Sequence, residues 1–224
     1  MTTLTPYQIF DLLNRPRPLW LVKVDLSSAT LFWVDLSNCN LAMGIFSRAD
    51  LNWANLSGSD LRKADLSMCN LFEAHMQRAN LSEAILTRAN LTRADLGKAE
   101  MIDTVMVEAN LNRASLTKTN MIRINLNGST MNRADLSKAN LAGANMRGVD
   151  LSRASLFDAN LIGADLTGSD LTGADLTAAN LTKAKLEDAI LEDVTWIDAI
   201  MPDGSLYVDP NAVVEEGEGE ETDS

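Results

Sequence analysis

The sequence predicts an all-β solenoid preceded by a short N-terminal α-helix. Three observations support this fold class. A large apolar residue recurs at every fifth position from Leu21 to Met201, without exception in 37 consecutive positions. Two residues before most of these positions stands a small residue, usually alanine, with Thr104, Thr119 and Ile124 among the departures. All five prolines lie outside the repeat, as expected if each coil pairs continuously with its neighbours through backbone hydrogen bonds.

The five-residue unit has a direct physical interpretation. In Ala49-Asp50-Leu51, small, polar and large side chains follow one another, which indicates a short extended step whose first and third side chains point inward. The other two residues must turn the chain, and Asp, Asn, Ser and Thr favour turns because their side chains bond the local backbone. An α-helix has a period of 3.6 residues, so it would leave half of the leucines in water. Repeated steps and corners therefore predict a solenoid.

This unit resembles the consensus A-(D/N)-L-x-x of the pentapeptide repeat family. The resemblance is carried by stretches such as ADLNWANLSGSDLRKADL at 49–66 and AILTRANLTRADL at 84–96, and it extends over residues 19–201. It implies a right-handed quadrilateral β-helix with four repeats in each coil. On that basis, residues 21–201 are assigned to a β-helix of about nine coils.

Residues 1–20 break the period and are interpreted as an N-terminal cap. Thr5, Pro6 and Gln8 fit a capping box with proline at the first helical position. Ile9, Phe10, Leu12 and Leu13 would then form one apolar face before two further prolines end the helix. We expect a short helix over roughly 5–14 that covers the open end of the first coil.

At the other end, residues 202–211 are predicted to form a turn or lid, because Pro202-Asp203-Gly204 is a turn signal. Residues 212–224 are acidic and rich in glycine, which predicts a disordered tail. Members of the family that the repeat resembles dimerise end to end through their C-terminal coils. Five residues are therefore candidates for either a C-terminal cap contact or a dimer contact: Trp196, Ile197, Ile200, Leu206 and Tyr207.

The sequence predicts no catalytic, cofactor-binding or metal-binding residue, and hence no enzyme. The single histidine, His75, occupies an outward position that usually holds Asp or Asn, and Cys39 and Cys69 occupy small inward positions. The repeated aspartates are interpreted as acceptors for backbone amides at the corners rather than as acid–base pairs. No signal peptide or membrane span is visible in the sequence, which predicts a cytoplasmic location.

Charge is distributed unevenly along the chain. Residues 1–155 hold 17 Lys and Arg and 14 acidic residues, whereas residues 156–224 hold 2 and 17. With four repeats per coil, two sets of cations stack into a candidate interaction surface: Arg93, Arg113, Arg133 and Arg153 on one face, and Arg78, Lys98, Lys118 and Lys138 on the next. They are either copies of a tolerated solvent position or a surface that faces an anion. Trp33 and Trp53 stack near the arginines, and packing against the N-terminal cap is favoured over a contact surface as their explanation.

These observations favour a non-catalytic structural or protein-interaction scaffold that binds an unidentified protein partner, as a monomer or as a C-terminal homodimer. The alternative, suggested by the resemblance and by the net charge of −12, is a DNA mimic that inhibits or protects a type II topoisomerase such as DNA gyrase. The two basic rows in the middle of the rod weigh against mimicry. Because they lack interleaved aromatic residues, they also argue against direct nucleic-acid binding.

Overall fold

The chain coils with a constant step of four repeats. In the computed structural model, which describes residues 5–208, parallel bridges join residues 20 positions apart, from Trp20 with Asn40 to Asn180 with Ile200. Four five-residue units therefore complete one coil, and each unit contributes a single bridged residue at its outward polar position. The result is a β-helical solenoid.

Every backbone amide of a typical unit has a partner, as the unit at 90–94 illustrates. The amide of Asn90 donates to the preceding coil at 2.9 Å, and those of Leu91 and Arg93 donate to the following coil at 2.7 and 3.0 Å. The amide of Ala94 donates to the carbonyl of Leu91 and closes the turn, while that of Thr92 donates to Oδ1 of Asn90. The same side-chain bond is made by Asp65, Asp135 and many other residues at this position. The prediction that Asp and Asn side chains accept hydrogen bonds from backbone amides at the turns is therefore confirmed. The physical reason for these bonds is that a backbone amide shielded from water needs an acceptor.

The second turn residue of each unit lies in the left-handed region of backbone space. Its φ ranges from 52° to 62° where it is not glycine. For a residue with a side chain, this conformation raises the free energy of the folded state by roughly 1–2 kcal/mol. Most units nevertheless have a residue other than glycine at this position. We call these positions the corner residues, because they stand at the four outward corners of each coil and stack in four columns along the rod.

The core consists of the inward leucine, methionine and alanine side chains. From Leu36 to Leu181 the large side chain at every fifth position is completely buried. Each such side chain contributes roughly 1.5–3 kcal/mol of hydrophobic stabilisation. Burial is incomplete in the last coil, where Leu191 is 38 % exposed, because residues 205–207 cover only part of that end. The expected apolar column is thus continuous, but it is less buried near Met201.

The N-terminal segment contains helix α1, Pro6–Leu13. Its capping box is formed: the Gln8 amide donates to Oγ1 of Thr5, and the Thr5 amide donates to Oε1 of Gln8. Ile9, Leu12 and Leu13 pack against the core, but Phe10 is 66 % exposed. The expectation that Phe10 shares the apolar face is wrong, because a stripe through 9, 12 and 13 places position 10 well to one side.

No helix within residues 5–208 has the length and apolar character needed to cross a membrane. Residues 1–4, the end of the predicted lid at 209–211 and the predicted acidic tail at 212–224 lie outside the described residues.

Candidate interaction surfaces

Two neighbouring corners of the rod carry the cations predicted to stack. We call Arg93, Arg113, Arg133 and Arg153 the arginine column, and Arg78, Lys98, Lys118 and Lys138 the lysine column; together they are the basic columns. All eight are corner residues with φ of 58–62°. Successive members belong to successive coils, which are spaced by about 4.8 Å. Like charges are therefore aligned along the rod axis in two parallel rows.

Ion pairs form only at the ends of the basic columns. Nη1 of Arg93 lies 3.0 Å from Oε1 of Glu73, and Nζ of Lys138 lies 3.9 Å from Oδ2 of Asp158. The remaining six cations form no ion pair with a carboxylate of residues 5–208: Arg78, Lys98, Arg113, Lys118, Arg133 and Arg153. Because like charges at such spacing repel one another, this part of the surface is electrostatically unfavourable in isolation.

The face between the basic columns has a polar floor. Asp95 accepts hydrogen bonds from the Gly97 amide at 3.0 Å and from Nε2 of Gln77 at 2.5 Å, so its carboxylate is engaged within the fold. Near Arg78 and Lys98 the surface forms an open groove of about 320 Å³. The face therefore combines positive rims with a floor of hydroxyl, amide and carboxylate groups, the last including Asp95 and Asp135, whose Oδ1 atoms accept hydrogen bonds from backbone amides.

Aromatic side chains occupy the N-terminal end of the arginine column. Trp33 and Trp53 are stacked, with ring centroids 5.1 Å apart and an interplanar angle of 11°, and Phe72 meets Trp53 edge-on at 5.8 Å. Nε1 of Trp53 donates to Oε2 of Glu73 at 3.1 Å. The hydrogen bond from Arg93, followed by the one from Trp53, holds the pKa of the Glu73 carboxyl below its ordinary value. A stacked and hydrogen-bonded sequence of side chains thus leads from the tryptophans to the first arginine.

The tryptophan pair does not pack beneath the N-terminal helix. Trp33 is 67 % exposed, and it borders an open groove of about 510 Å³ that Trp53, Arg93 and the exposed His75 also line. The interpretation that a cap covers these tryptophans is therefore wrong. The physical reason is that a corner residue points away from the core whatever its side chain is.

The other two corners carry complementary charges, which we call the paired columns. Nζ of Lys63 lies 3.3 Å from Oε2 of Glu83. Two tighter pairs, Arg123 with Asp103 and Arg88 with Glu108, have N···O distances of 2.6 Å. Each pair joins corner residues of successive coils. The sequence analysis did not identify these pairs, although opposite charges four repeats apart were the signal that would have found them.

The C-terminal end is partly closed by its own chain. Leu206 forms an antiparallel bridge with Ile200, the Tyr207 amide donates to the Ala199 carbonyl at 2.8 Å, and the ring of Tyr207 stacks on Trp196 at 5.8 Å. Ile197 and Leu206, however, are 62 % and 57 % exposed. Some of the five candidate residues at this end therefore pack on the last coil, and others present apolar surface outward.

The two cysteines are buried and free. Sγ of Cys69 donates to the Phe46 carbonyl at 2.7 Å, and burial raises the pKa of its thiol to about 12. A thiol with so high a pKa is a poor nucleophile, so Cys69 behaves as a small core residue.

Fold and surface together define a β-helical repeat protein whose distinctive chemistry lies in columns of exposed corner residues. The chain belongs to the pentapeptide repeat family. The family profile "Pentapeptide repeats" matches eight copies, in segments at 29–71, 49–88, 69–106, 99–133, 116–153 and 154–193.

Solved structures of the same family are similar to this chain. HetL, involved in heterocyst differentiation regulation in the cyanobacterium Nostoc sp. strain PCC 7120, has a TM-score of 0.62 and 30 % identity over 92 % of this chain and 100 % of its own. Rfr23 from the cyanobacterium Cyanothece 51142 is 28 % identical, covers 46 % of this chain and 61 % of its own, and has a TM-score of 0.32. QnrB1, a plasmid-mediated fluoroquinolone resistance protein, is 20 % identical over 79 % of this chain and 91 % of its own, with a TM-score of 0.39. No curated protein sequence matches the chain.

Proposed function

We propose that this protein is a non-catalytic scaffold that binds an acidic protein partner along the face between the arginine and lysine columns. The observation that carries the proposal is the difference in ion pairing between the paired columns and the basic columns. On the paired columns Lys63, Arg88 and Arg123 each meet a carboxylate, and Lys23, Arg48 and Lys183 do not. On the basic columns six of the eight aligned cations have no carboxylate partner among residues 5–208. An external anionic surface would remove the repulsion that these cations create.

The spacing of the cations suggests the form of the partner. Along each basic column a positive charge recurs about every 4.8 Å, the distance between coils. Carboxylates three or four residues apart on an α-helix are spaced by about 5–6 Å, which is close to that repeat. An acidic helix lying along the rod axis would therefore place several carboxylates against one column.

The rest of the molecule fits a binding role. We propose a rigid β-helix of about nine coils, closed at its first coil by α1 and at its last coil by residues 202–208. HetL is involved in regulation, and a regulatory role exerted by binding is consistent with this proposal. A cytoplasmic location and the choice between a monomer and a C-terminal dimer stay predictions, and light scattering coupled to size exclusion would decide the latter.

The proposal is tested with fluorescein-labelled decaglutamate, titrated with the full chain and followed by fluorescence anisotropy. Replacing Arg113, Lys118, Arg133 and Arg153 by Gln should weaken binding at least about tenfold at low salt. The matched control replaces four cations outside the basic columns, Arg48, Lys63, Arg88 and Arg123, by Gln, and it should change the affinity by less than about threefold.

Equal losses in the two variants would mean that the peptide responds only to net charge, and the proposed surface would then be wrong. A labelled DNA duplex serves as a second probe. Tighter binding of the duplex than of the peptide would overturn the assignment of a protein partner.

The charge of the rod does not favour the alternative of DNA mimicry, because the middle coils present cations where a mimic needs carboxylates. We expect no inhibition of DNA gyrase supercoiling at micromolar protein. Inhibition in that assay would reinstate the alternative.

A further inference from the structure

We infer that the acidic segment 209–224 of this chain docks on the face between the basic columns of the same molecule. The inference rests on the proposed function, because it assigns a first occupant to the same face. The segment contains seven Asp and Glu residues and no Lys or Arg. It is thus a polyanion covalently attached to a rod whose nearby surface carries six cations without ion pairs.

The segment is long enough to reach these cations. It leaves the rod after Val208, beside the last coil. Arg153 lies little more than two coils below Ile200, which corresponds to about 11 Å along the axis, and Lys118 lies about 20 Å below it. Sixteen residues span up to about 53 Å when extended, so the acidic residues at 215–223 can lie alongside Arg153, Arg133 and Lys118.

The surface between the last coil and the basic columns holds few other cations that could bind the acidic segment. Only two cations follow residue 155, and one of them, Lys185, already lies 3.7 Å from Asp165. The other is Lys183. Five carboxylates of the last coil repel an acidic segment that rests there: Glu187, Asp188, Glu192, Asp193 and Asp198. Towards the basic columns the next corners are the small residues Gly173 and Ala178, followed on the arginine side by Arg153 and on the lysine side by Asp158, which pairs with Lys138.

Docking in the same molecule has a functional consequence. A tethered segment competes at an effective concentration in the millimolar range for a short link. An acidic partner must displace it, so the segment lowers the apparent affinity of the face and makes binding depend strongly on salt. Weakly acidic partners are then excluded, and strongly acidic ones are selected.

The first experiment compares the full chain with a variant of the same length in which the six acidic residues between 215 and 223 are replaced by Gln or Asn. The neutralised variant should bind fluorescein-labelled decaglutamate at least about fivefold more tightly at about 50 mM salt, and the difference should fade at about 300 mM. Equal affinities of the two proteins would overturn self-docking and leave the proposed function intact. Failure of the neutralised variant to bind the peptide would refute the proposed function itself.

A second experiment locates the segment without any added ligand. A nitroxide is attached to the full chain through Ser224→Cys, since Cys39 and Cys69 are buried. We expect paramagnetic broadening of the amides of Thr117, Lys118 and Arg133, with loss of the effect at high salt. Broadening centred on Lys183, or its absence, would contradict docking on the basic columns. Broadening that appears only between labelled and unlabelled molecules would show docking on a second copy and would overturn the intramolecular form.

The control for both experiments is Lys183→Gln. It removes the nearest cation without an ion pair that lies outside the basic columns. It should leave peptide affinity and the broadening pattern unchanged, and a loss of either would move the docking site to the last coil.

Discussion

The paired columns and the basic columns share the same backbone and differ only in the side chains at their corners. On the paired columns, Lys63 with Glu83 and Arg123 with Asp103 show that a corner cation can meet a carboxylate one coil away. On the basic columns the equivalent neighbour of Arg113 or Arg133 is another arginine. The backbone therefore allows pairing, and its absence within residues 5–208 at Arg113 and Arg133 is a property of the sequence there. This difference singles out one side of the rod as the surface to which our proposal assigns a partner.

The arginine column also differs from the paired columns in how it begins. The corners that precede it along the rod are the stacked Trp33 and Trp53, and Glu73 connects them to Arg93. Aromatic stacking is here added to an ion pair of the kind found on the paired columns. This end of the basic surface therefore combines packing, which salt does not screen, with the exposed Glu73–Arg93 ion pair, which salt does screen.

The largest effect is expected for Trp53→Ala. This change removes the stack on Trp33, the edge contact with Phe72 and the hydrogen bond to Glu73, and it should lower the free energy of unfolding by about 2 kcal/mol. This change in the free energy of unfolding is measured by urea denaturation, with circular dichroism as the signal.

Trp33→Ala is the matched control for Trp53→Ala. It should cost less than half as much, because Trp33 ends the stack and is mostly exposed. Equal losses for the two variants would show that the mutual stack alone, rather than the connection to Glu73, stabilises this end of the column.

Charge reversal should change Tm by a smaller amount, with opposite signs on the basic columns and on the paired columns. In the variant whose acidic residues at 215–223 are neutralised, Arg113→Glu places a carboxylate between Arg93 and Arg133 and should raise Tm by roughly 1–3 °C. Glu108→Arg removes the partner of Arg88 and adds a like charge, so it should lower Tm by a similar amount.

The neutral variants Arg113→Gln and Glu108→Gln should shift Tm in the same two directions by less. Differential scanning calorimetry at low salt compares all four proteins. A marked fall in Tm for Arg113→Gln would mean that this arginine is paired within the fold, and the contrast between the columns would then collapse.

The smallest effect is expected in the pH dependence of stability. The hydrogen bond from Arg123, with the charge of that arginine, lowers the pKa of Asp103 below its ordinary value of 3.8. A carboxyl with a lowered pKa in the folded state stabilises the protein above the unfolded pKa, and that contribution is lost as pH falls through the folded pKa.

The destabilisation caused by Asp103→Asn at pH 6 should therefore fade as the pH falls through the lowered folded-state pKa of Asp103. The stabilisation caused by Arg113→Gln should persist there, because Arg113 forms no ion pair with a carboxylate of residues 5–208 that could become protonated. Thermal unfolding at a series of pH values measures both. If the effect of Asp103→Asn were the same at all pH values, the ion pair would contribute nothing beyond the shape of the side chain.

Much of the fold could be predicted from short stretches of sequence. The apolar residue at every fifth position, the small residue before it and the Asp or Asn between them act within a few residues of one another. They place the leucine inward, extend the chain for one step and close the turn through a side-chain acceptor, as the unit at 90–94 illustrates. The capping box of Thr5 and Gln8 is local in the same sense, and the helix begins where the sequence indicates. The columns of Arg113 and Lys118 could be listed once a coil of four repeats was assumed.

Only the tertiary structure decided which residues meet across coils. The step between coils is set by where four corners bring the backbone back over itself, and the hydrogen bonds that fix it join residues 19–21 positions apart. A period of five is equally compatible with other numbers of units per coil, so the sequence alone left the partners of Arg123 and Trp53 undetermined. The outward direction of the corner likewise exposed Trp33, against the expectation from its apolar ring. Local chemistry thus determined the conformation of each unit, and the closure of the coil determined which charges of the described residues form ion pairs and which do not.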